Sequence, residues 1–216
     1  MSSRFDLLVF DWDGTLFDSV GWIVDCLRQA ACDCGLPMPS DRAAKSVIGL
    51  GLKEAMEALF PEHPSETAFR LAESYRRYYG GKTIGADGLF AGVPGMLAEL
   101  RERGYRLAVA TGKTRAGLDH ALAATGTELL FHSTRCADET ASKPDPEMLF
   151  QLMSELDIAR ERTLMVGDSL HDLRMARNAG VPAIGVGCGA NDLAELAELG
   201  PLACLERTAD LLKILN

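Results

Sequence analysis

The chain has 216 residues, with 22 Lys and Arg against 31 Asp and Glu, a formal net charge of −9 at pH 7. Its 47% hydrophobic and 25% charged content is that of a soluble globular protein, long enough for one large domain or one domain with a small insert. The acidic balance argues against a nucleic-acid binder, whose footprint is a basic face, and no apolar run approaches the ~20 residues of a membrane helix.

In chain order, Met1-Ser2-Ser3-Arg4-Phe5-Asp6 shows no secretory signal. Cys26, Cys32, Cys34, Cys136, Cys188 and Cys204 therefore read as reduced thiols of a cytoplasmic protein. Cys32 and Cys34 lack the second pair that a zinc site requires. Leu7-Leu8-Val9-Phe10 is the first of four short apolar runs. The others are Leu107–Ala110, Thr163–Val166 and Ala183–Val186. Continuous runs of this kind are buried on both faces, as in a parallel sheet. From about Ser19 to Phe90 the period is helical instead (Ile23, Cys26, Leu27, Ala30; Ala55, Met56, Leu59; Phe69, Ala72, Tyr75), punctuated by Pro37, Pro39, Pro61 and Pro64. That is too much helix for one crossover, so it reads as a helical insert over the sheet. Helices are expected before the second strand (Pro94–Arg101, stopping at Gly104), before the third (Pro146–Leu156) and after it (Asp172–Asn178, stopping at Gly180). The alternation predicts an open α/β fold.

In such a sheet ligands bind at the carboxyl ends of the strands. There the sequence places Asp11-Trp12-Asp13-Gly14-Thr15 after the first strand, Thr111-Gly112-Lys113 after the second, and Gly167-Asp168-Ser169-Leu170-His171-Asp172 after the third. A single strand-end Asp is more often a helix cap. Four acids on one edge repel one another unless a cation sits among them, and oxygen-only ligands suit Mg²⁺. Lys143, in Ser142-Lys143-Pro144-Asp145-Pro146, is a candidate positive partner for a phosphate, against the plainer reading of a surface lysine.

Together these residues resemble the haloacid dehalogenase-like hydrolases, whose four motifs appear in order: Asp11-x-Asp13-Gly14-Thr15, Thr111 after a strand, Lys143 before a proline, and Gly167-Asp168-x3-Asp172. The resemblance spans nearly the whole chain. It implies a Rossmann-like core over 1–17 and 91–216 and a small α-helical cap domain over 18–90, of the type found in phosphoglycolate phosphatase and β-phosphoglucomutase relatives. It also implies Asp11 as nucleophile, Asp13 as general acid and base, and Thr111, Gly112 and Lys143 as phosphate binders. Mg²⁺ would lie on Asp11, Asp13 (through its carbonyl) and Asp168, with Asp172 supporting from outside. Dehalogenase members lack an acid at the Asp13 position, so its presence favours phosphoryl chemistry.

The expectation is a Mg²⁺-dependent phosphatase acting on a small phosphorylated metabolite, of the phosphoglycolate or sugar phosphate type, with no nucleic-acid or membrane partner. A phosphomutase on the same scaffold and a non-catalytic regulator are the alternatives. Gly185-Val186-Gly187-Cys188-Gly189 lacks the order of a dinucleotide loop and reads as the loop after the last core strand. Trp12 and Phe17 read as packing at the strand–cap junction, and His171 as a rim residue. Lys53, Lys113 and Arg115 are possible sources of positive charge toward a substrate, the first equally readable as an exposed lysine at a helix–helix turn.

Overall fold

Successive residues of the strands point to opposite sides of the sheet, and that alternation sorts the core into two layers. The computed structural model describes residues 4–215; Met1-Ser2-Ser3, the head of the stretch read for a signal, and Asn216 lie outside the described residues. Six strands form one parallel sheet: β1 (Leu7–Phe10), β2 (Arg106–Thr111), β3 (Ser133–Cys136), β4 (Thr163–Gly167), β5 (Ala183–Val186) and β6 (Ala203–Leu205), in the order β3-β2-β1-β4-β5-β6. Leu8, Phe10, Leu107, Val109, Leu164, Val166, Ile184 and Val186 face one apolar layer, covered by α5 (Val93–Glu102) and α6 (Arg115–Thr125). Leu7, Val9, Ala108, Ala110, Met165 and Ala183 face the other, covered by α7 (Glu147–Leu156), α8 (Leu170–Ala179) and α9 (Leu193–Ala197). No helix among the described residues is long and apolar enough to cross a membrane.

The four apolar runs are strands as expected, but two more flank them. β3 reads Ser-Thr-Arg-Cys and β6 Ala-Cys-Leu. Each lies at an edge of the sheet, where a face open to solvent or to long polar side chains removes the need for a continuous apolar run. Ser133 and Arg135 of β3, for example, bond to Glu155 on α7. The reading of Gly185–Gly189 as the loop after the last core strand is therefore corrected, since β6 follows and pairs with β5.

Between β1 and β2, α1 (Val20–Asp33), a short α2 (Asp41–Lys45), α3 (Leu52–Leu59) and α4 (Ser65–Gly80) enclose a third apolar cluster that includes Ile23, Leu27, Ala30, Val47, Met56 and Leu71. Ser40 begins α2 by accepting from the Ala43 amide. The chain leaves and re-enters the sheet layer side by side: the Asp18 amide bonds the Gly88 carbonyl at 2.8 Å and the Phe90 amide the Leu16 carbonyl at 3.0 Å. Phe17 packs toward Trp22 of α1, as a junction residue should, whereas fully buried Trp12 lies in the sheet's own apolar layer against Phe17 and Phe131.

Candidate active site

The chain winds from β1 outward through β2 to β3, then returns to start β4 on the other side of β1. The crevice at that reversal is where an open α/β sheet places its ligands. Four connections deliver polar groups there. β1 is extended by the Asp11 amide, which donates to the Val166 carbonyl at 3.0 Å, so Asp11 stays in register beside β4. Thr111 is the last residue of β2, one position further into the strand than the sequence suggested. Lys143 comes from the loop between β3 and α7, and Asp168 follows β4 directly.

The carboxylates of Asp11, Asp168 and Asp172 cluster, each offering an oxygen within 4.8 Å of the others, and all three are buried. Lys143, also fully buried, sits 2.9 Å from Asp11 Oδ1 and donates to Asp172 Oδ1 at 2.6 Å. Burial alone would lower the Lys143 pKa, but the two carboxylates outweigh it and hold the ammonium above its ordinary value. Burial drives Asp11 the other way, well above the usual carboxylate range, with Lys143 opposing and Asp172 adding to the rise. Asp168 is pushed up to about 7, by burial first and then by Asp172. Its oxygens are nonetheless held, Oδ1 by the Thr15 hydroxyl at 2.6 Å and Oδ2 by the Ala190 amide at 2.7 Å. Gly14 and Gly189 lie so close that a Cβ on either would fall within 2.3 Å of Asp168 Oδ2, so the carboxylate is seated between two bare backbone stretches.

Three carboxylates against one ammonium leave two negative charges when all are ionised, the charge of one divalent cation. Asp11 Oδ2 has no hydrogen-bond partner although it is buried, a costly arrangement unless something positive meets it. The donor set is all oxygen, which fits a hard cation such as Mg²⁺. Asp172 differs from its neighbours. Its Oδ1 is taken by Lys143, and its Oδ2 accepts from both the Ser169 amide and hydroxyl in a capping box at the start of α8.

The Asp13 side chain is not part of this cluster. Its Oδ1 accepts from the Ser19 hydroxyl at 2.6 Å, and both oxygens lie within 3.0 Å of Lys113 Nζ, which also donates to the Tyr79 hydroxyl of α4 at 2.8 Å. Asp11, Asp13, Thr111, Gly112 and Lys113 line one end of a cavity of about 380 Å³ whose other walls belong to the helices between β1 and β2.

The loop between α2 and α3 closes against this edge. The Gly51 amide donates to Ser142 Oγ at 2.7 Å, and His171 Nε2 donates to the Ser46 carbonyl at 2.8 Å. A Cβ on Gly112 would lie 2.3 Å from the Leu50 carbonyl oxygen, closer than backbone tolerates. Gly112→Ala is therefore expected to push this loop away. Amide exchange at Gly51 should accelerate while the β2 amides stay protected; equal protection at Gly51 in both proteins would show that the seam absorbs the methyl group.

Of the three other basic candidates, only Lys113 reaches the site. Lys53 is exposed and faces Glu57 at 3.7 Å, and Arg115 is engaged by Glu139 and Asp119. His171 belongs to the seam. Thr15 and Ser142 were named in the motif segments without a role, and Ser19, Tyr79 and Ala190 escaped the sequence reading. Thr15 and Ser19 lie within or just past the first motif and were within its reach. Tyr79 continues an apolar helical stripe and gives no separate signal, and the Ala190 amide carries none.

A model of the haloacid dehalogenase-like hydrolases matches residues 8–186. A probable phosphatase IndB of Dickeya dadantii is 38% identical over 199 residues, covering 90% of this chain and 86% of that protein. A phosphoglycolate phosphatase of Mannheimia succiniciproducens is 31% identical, covering 99% of this chain and all of that one. The crystal structure of a predicted phosphoglycolate phosphatase from Haemophilus somnus superposes with a TM-score of 0.86 over 99% of both chains, at 26% identity. With the four motifs gathered at one sheet edge and these relatives matched along nearly its full length, the chain belongs to the haloacid dehalogenase-like hydrolases and is an enzyme of their phosphatase group.

Proposed function

We propose that this chain is a Mg²⁺-dependent phosphatase that hydrolyses a small-molecule phosphomonoester through a phosphoryl group carried on Asp11. The observation that carries the reading is the buried cluster itself: three acids and one lysine, two negative charges in excess, with an unpartnered oxygen on the acid that lines the cavity. Asp11, Asp168 and the Asp13 main-chain carbonyl would hold the ion, while Asp172, with both oxygens engaged, steadies Lys143 from behind. Mg²⁺ bound there offsets the repulsion between an anionic nucleophile and an anionic phosphoryl group.

In this reading Asp11 Oδ2 attacks phosphorus as the bond to the ester oxygen breaks, and Asp13 gives its proton to the departing alcohol. Asp13 then takes a proton from water, which attacks phosphorus and frees Asp11. Thr111, the Gly112 amide and Lys143 hold the phosphoryl oxygens, so that placement rather than further covalent chemistry lowers the barrier. Ser19 and Lys113 keep Asp13 in place. Residues 18–90 act as a cap, closing along the Gly51–Ser142 and His171–Ser46 seam and excluding bulk water.

Phosphoglycolate, named for the Mannheimia relative, and sugar phosphates head the substrates to be tried. Phosphate release from a panel of phosphorylated metabolites, with and without Mg²⁺, tests the proposal. No Mg²⁺-dependent release across the panel would refute it, and an isomerised sugar phosphate without release would point to a mutase.

A second test follows from the raised carboxyl groups. Asp168, at about 7, and Asp11 bind protons more tightly folded than unfolded, so the stability they give the metal-free fold is present at low pH and lost as pH rises from about 4 through 7. An ion competes with those protons. The gain in Tm on adding Mg²⁺ over chelator is therefore expected to grow from about pH 5 to about pH 8. A gain independent of pH would place the ion away from these acids.

A further inference from the structure

We infer that the cavity beyond the acids holds an apolar leaving group, so that the preferred substrates are phosphomonoesters of apolar primary alcohols of about six carbons or more, a cavity of about 150 Å³ being enough for benzene. This rests on the phosphatase reading above and sharpens it.

The two ends of the cavity differ in chemistry. At the sheet edge stand Asp11, Asp13, Thr111 and Gly112, which account for the phosphoryl group and its ester oxygen. The opposite walls are Ile23, Leu27, Val47, Ile48, Leu52 and Tyr75. Four of these, Ile23, Leu27, Val47 and Ile48, are buried members of the helical insert's own apolar cluster, so this side of the chamber is cut into a hydrophobic core. The same cavity is also lined by Arg76, Lys82, Lys113, His120 and the Tyr75 and Tyr79 hydroxyls, which stand apart from the four buried aliphatic side chains. Lys113 is engaged by Asp13 and the Tyr79 hydroxyl. Arg76 and His120 are exposed, and Lys82 is half-buried at the stretch leading out of α4.

Volume and polarity give the same answer. At about 380 Å³ the cavity is more than twice the benzene-sized one. A two-carbon glycolyl group would leave most of it to water against Ile, Leu and Val. A sugar would fill it but would turn several hydroxyls toward Ile23, Leu27, Val47 and Ile48, which offer them no donor or acceptor, and each hydroxyl desolvated there without a partner weakens binding about tenfold or more. A hydrocarbon chain or ring loses nothing there. Each buried methylene strengthens binding about fourfold.

The test compares primary n-alkyl phosphates from methyl to hexyl, together with benzyl phosphate, glucose 6-phosphate and phosphoglycolate. All depart as primary alcohols, so differences report the chamber more than the chemistry. The expected result is a kcat/KM that climbs about fourfold per methylene and a benzyl ester at least ~100-fold ahead of glucose 6-phosphate. Leu52→Ala should cut the hexyl-to-methyl ratio about tenfold, and Leu52→Met should return it. In parallel, binding of the matching n-alkylphosphonates in Mg²⁺, read by calorimetry, should climb with the same slope. A flat or falling series in both measurements, or glucose 6-phosphate or phosphoglycolate ahead of benzyl phosphate, would overturn the inference. A climbing phosphonate series with no hydrolysis of any ester would leave the chamber as inferred and overturn the phosphatase reading instead.

Discussion

Asp11→Asn is expected to lower kcat on the order of 10⁶-fold, the scale seen when a covalent nucleophile is removed from an active site. The substitution keeps the side chain's size and its place beside β4, but an amide oxygen does not attack phosphorus. It also removes one of the two carboxylates facing Lys143, so the cluster keeps one negative charge in excess instead of two and holds a divalent ion less tightly. The metal-free protein should respond in the opposite sense. Burial holds Asp11 well above the usual carboxylate range and leaves Oδ2 without a partner, so a neutral amide relieves a penalty that the wild-type fold carries for function, and Tm in chelator should rise. Acid-quenched enzyme incubated with labelled ester would carry label in the wild type and none in the variant. Label retained on Asp11→Asn protein would put the nucleophile elsewhere. Loss of activity with a lower Tm in chelator would mean that Asp11 supports the fold rather than straining it.

The sequence exposed this site to very different degrees at different residues. Asp11, Thr111 and Asp168 were legible because continuous apolar runs mark where strands end, and a parallel sheet aligns those ends on one edge. Lys143 follows a strand that no apolar run announces. β3 has the sequence Ser-Thr-Arg-Cys at the edge of the sheet, and only the motif order tied its loop to the others. What one strand's sequence cannot convey is which partner each acid takes once neighbouring connections fold over it. The four acids looked like one group. In the structure three of them cluster, two facing Lys143, with an excess of charge, and the fourth, Asp13, turns to Ser19 and Lys113. The helical insert shows the same limit. Its periodicity gave its helices, but Tyr79, whose hydroxyl meets Lys113, sits in the same apolar rhythm as residues that only pack. Period reports burial, and the hydroxyl at the end of a buried ring is invisible to it.

That separation of Asp13 from the other acids makes Asp13→Asn the more discriminating variant. The substrates proposed above are esters of alkyl alcohols, poor leaving groups that need a proton as they depart. Losing a general acid costs about 10²–10⁴-fold on such esters. Aryl esters with acidic phenols need no such proton, so Asp11 should still be phosphorylated at close to the wild-type rate. In the proposed cycle the second half would also use Asp13, as the base that activates water, so the phosphoenzyme should then accumulate. With p-nitrophenyl phosphate the variant is expected to release a burst of nitrophenol equal to the enzyme present, followed by turnover slowed about 10²–10⁴-fold. The substitution also strips Lys113 of its anionic partner in a site where both side chains are largely buried, and breaking one side of such a pair destabilises the fold. Lys113→Met in the same chain removes the stranded ammonium and should recover much of the lost Tm. It should not recover turnover of alkyl esters, because the proton donor is still missing. If the double variant regained alkyl ester turnover, Asp13 would have been acting only as a partner for Lys113. If Asp13→Asn alone slowed aryl and alkyl esters equally, with no burst, its carboxylate would belong to binding rather than to proton transfer.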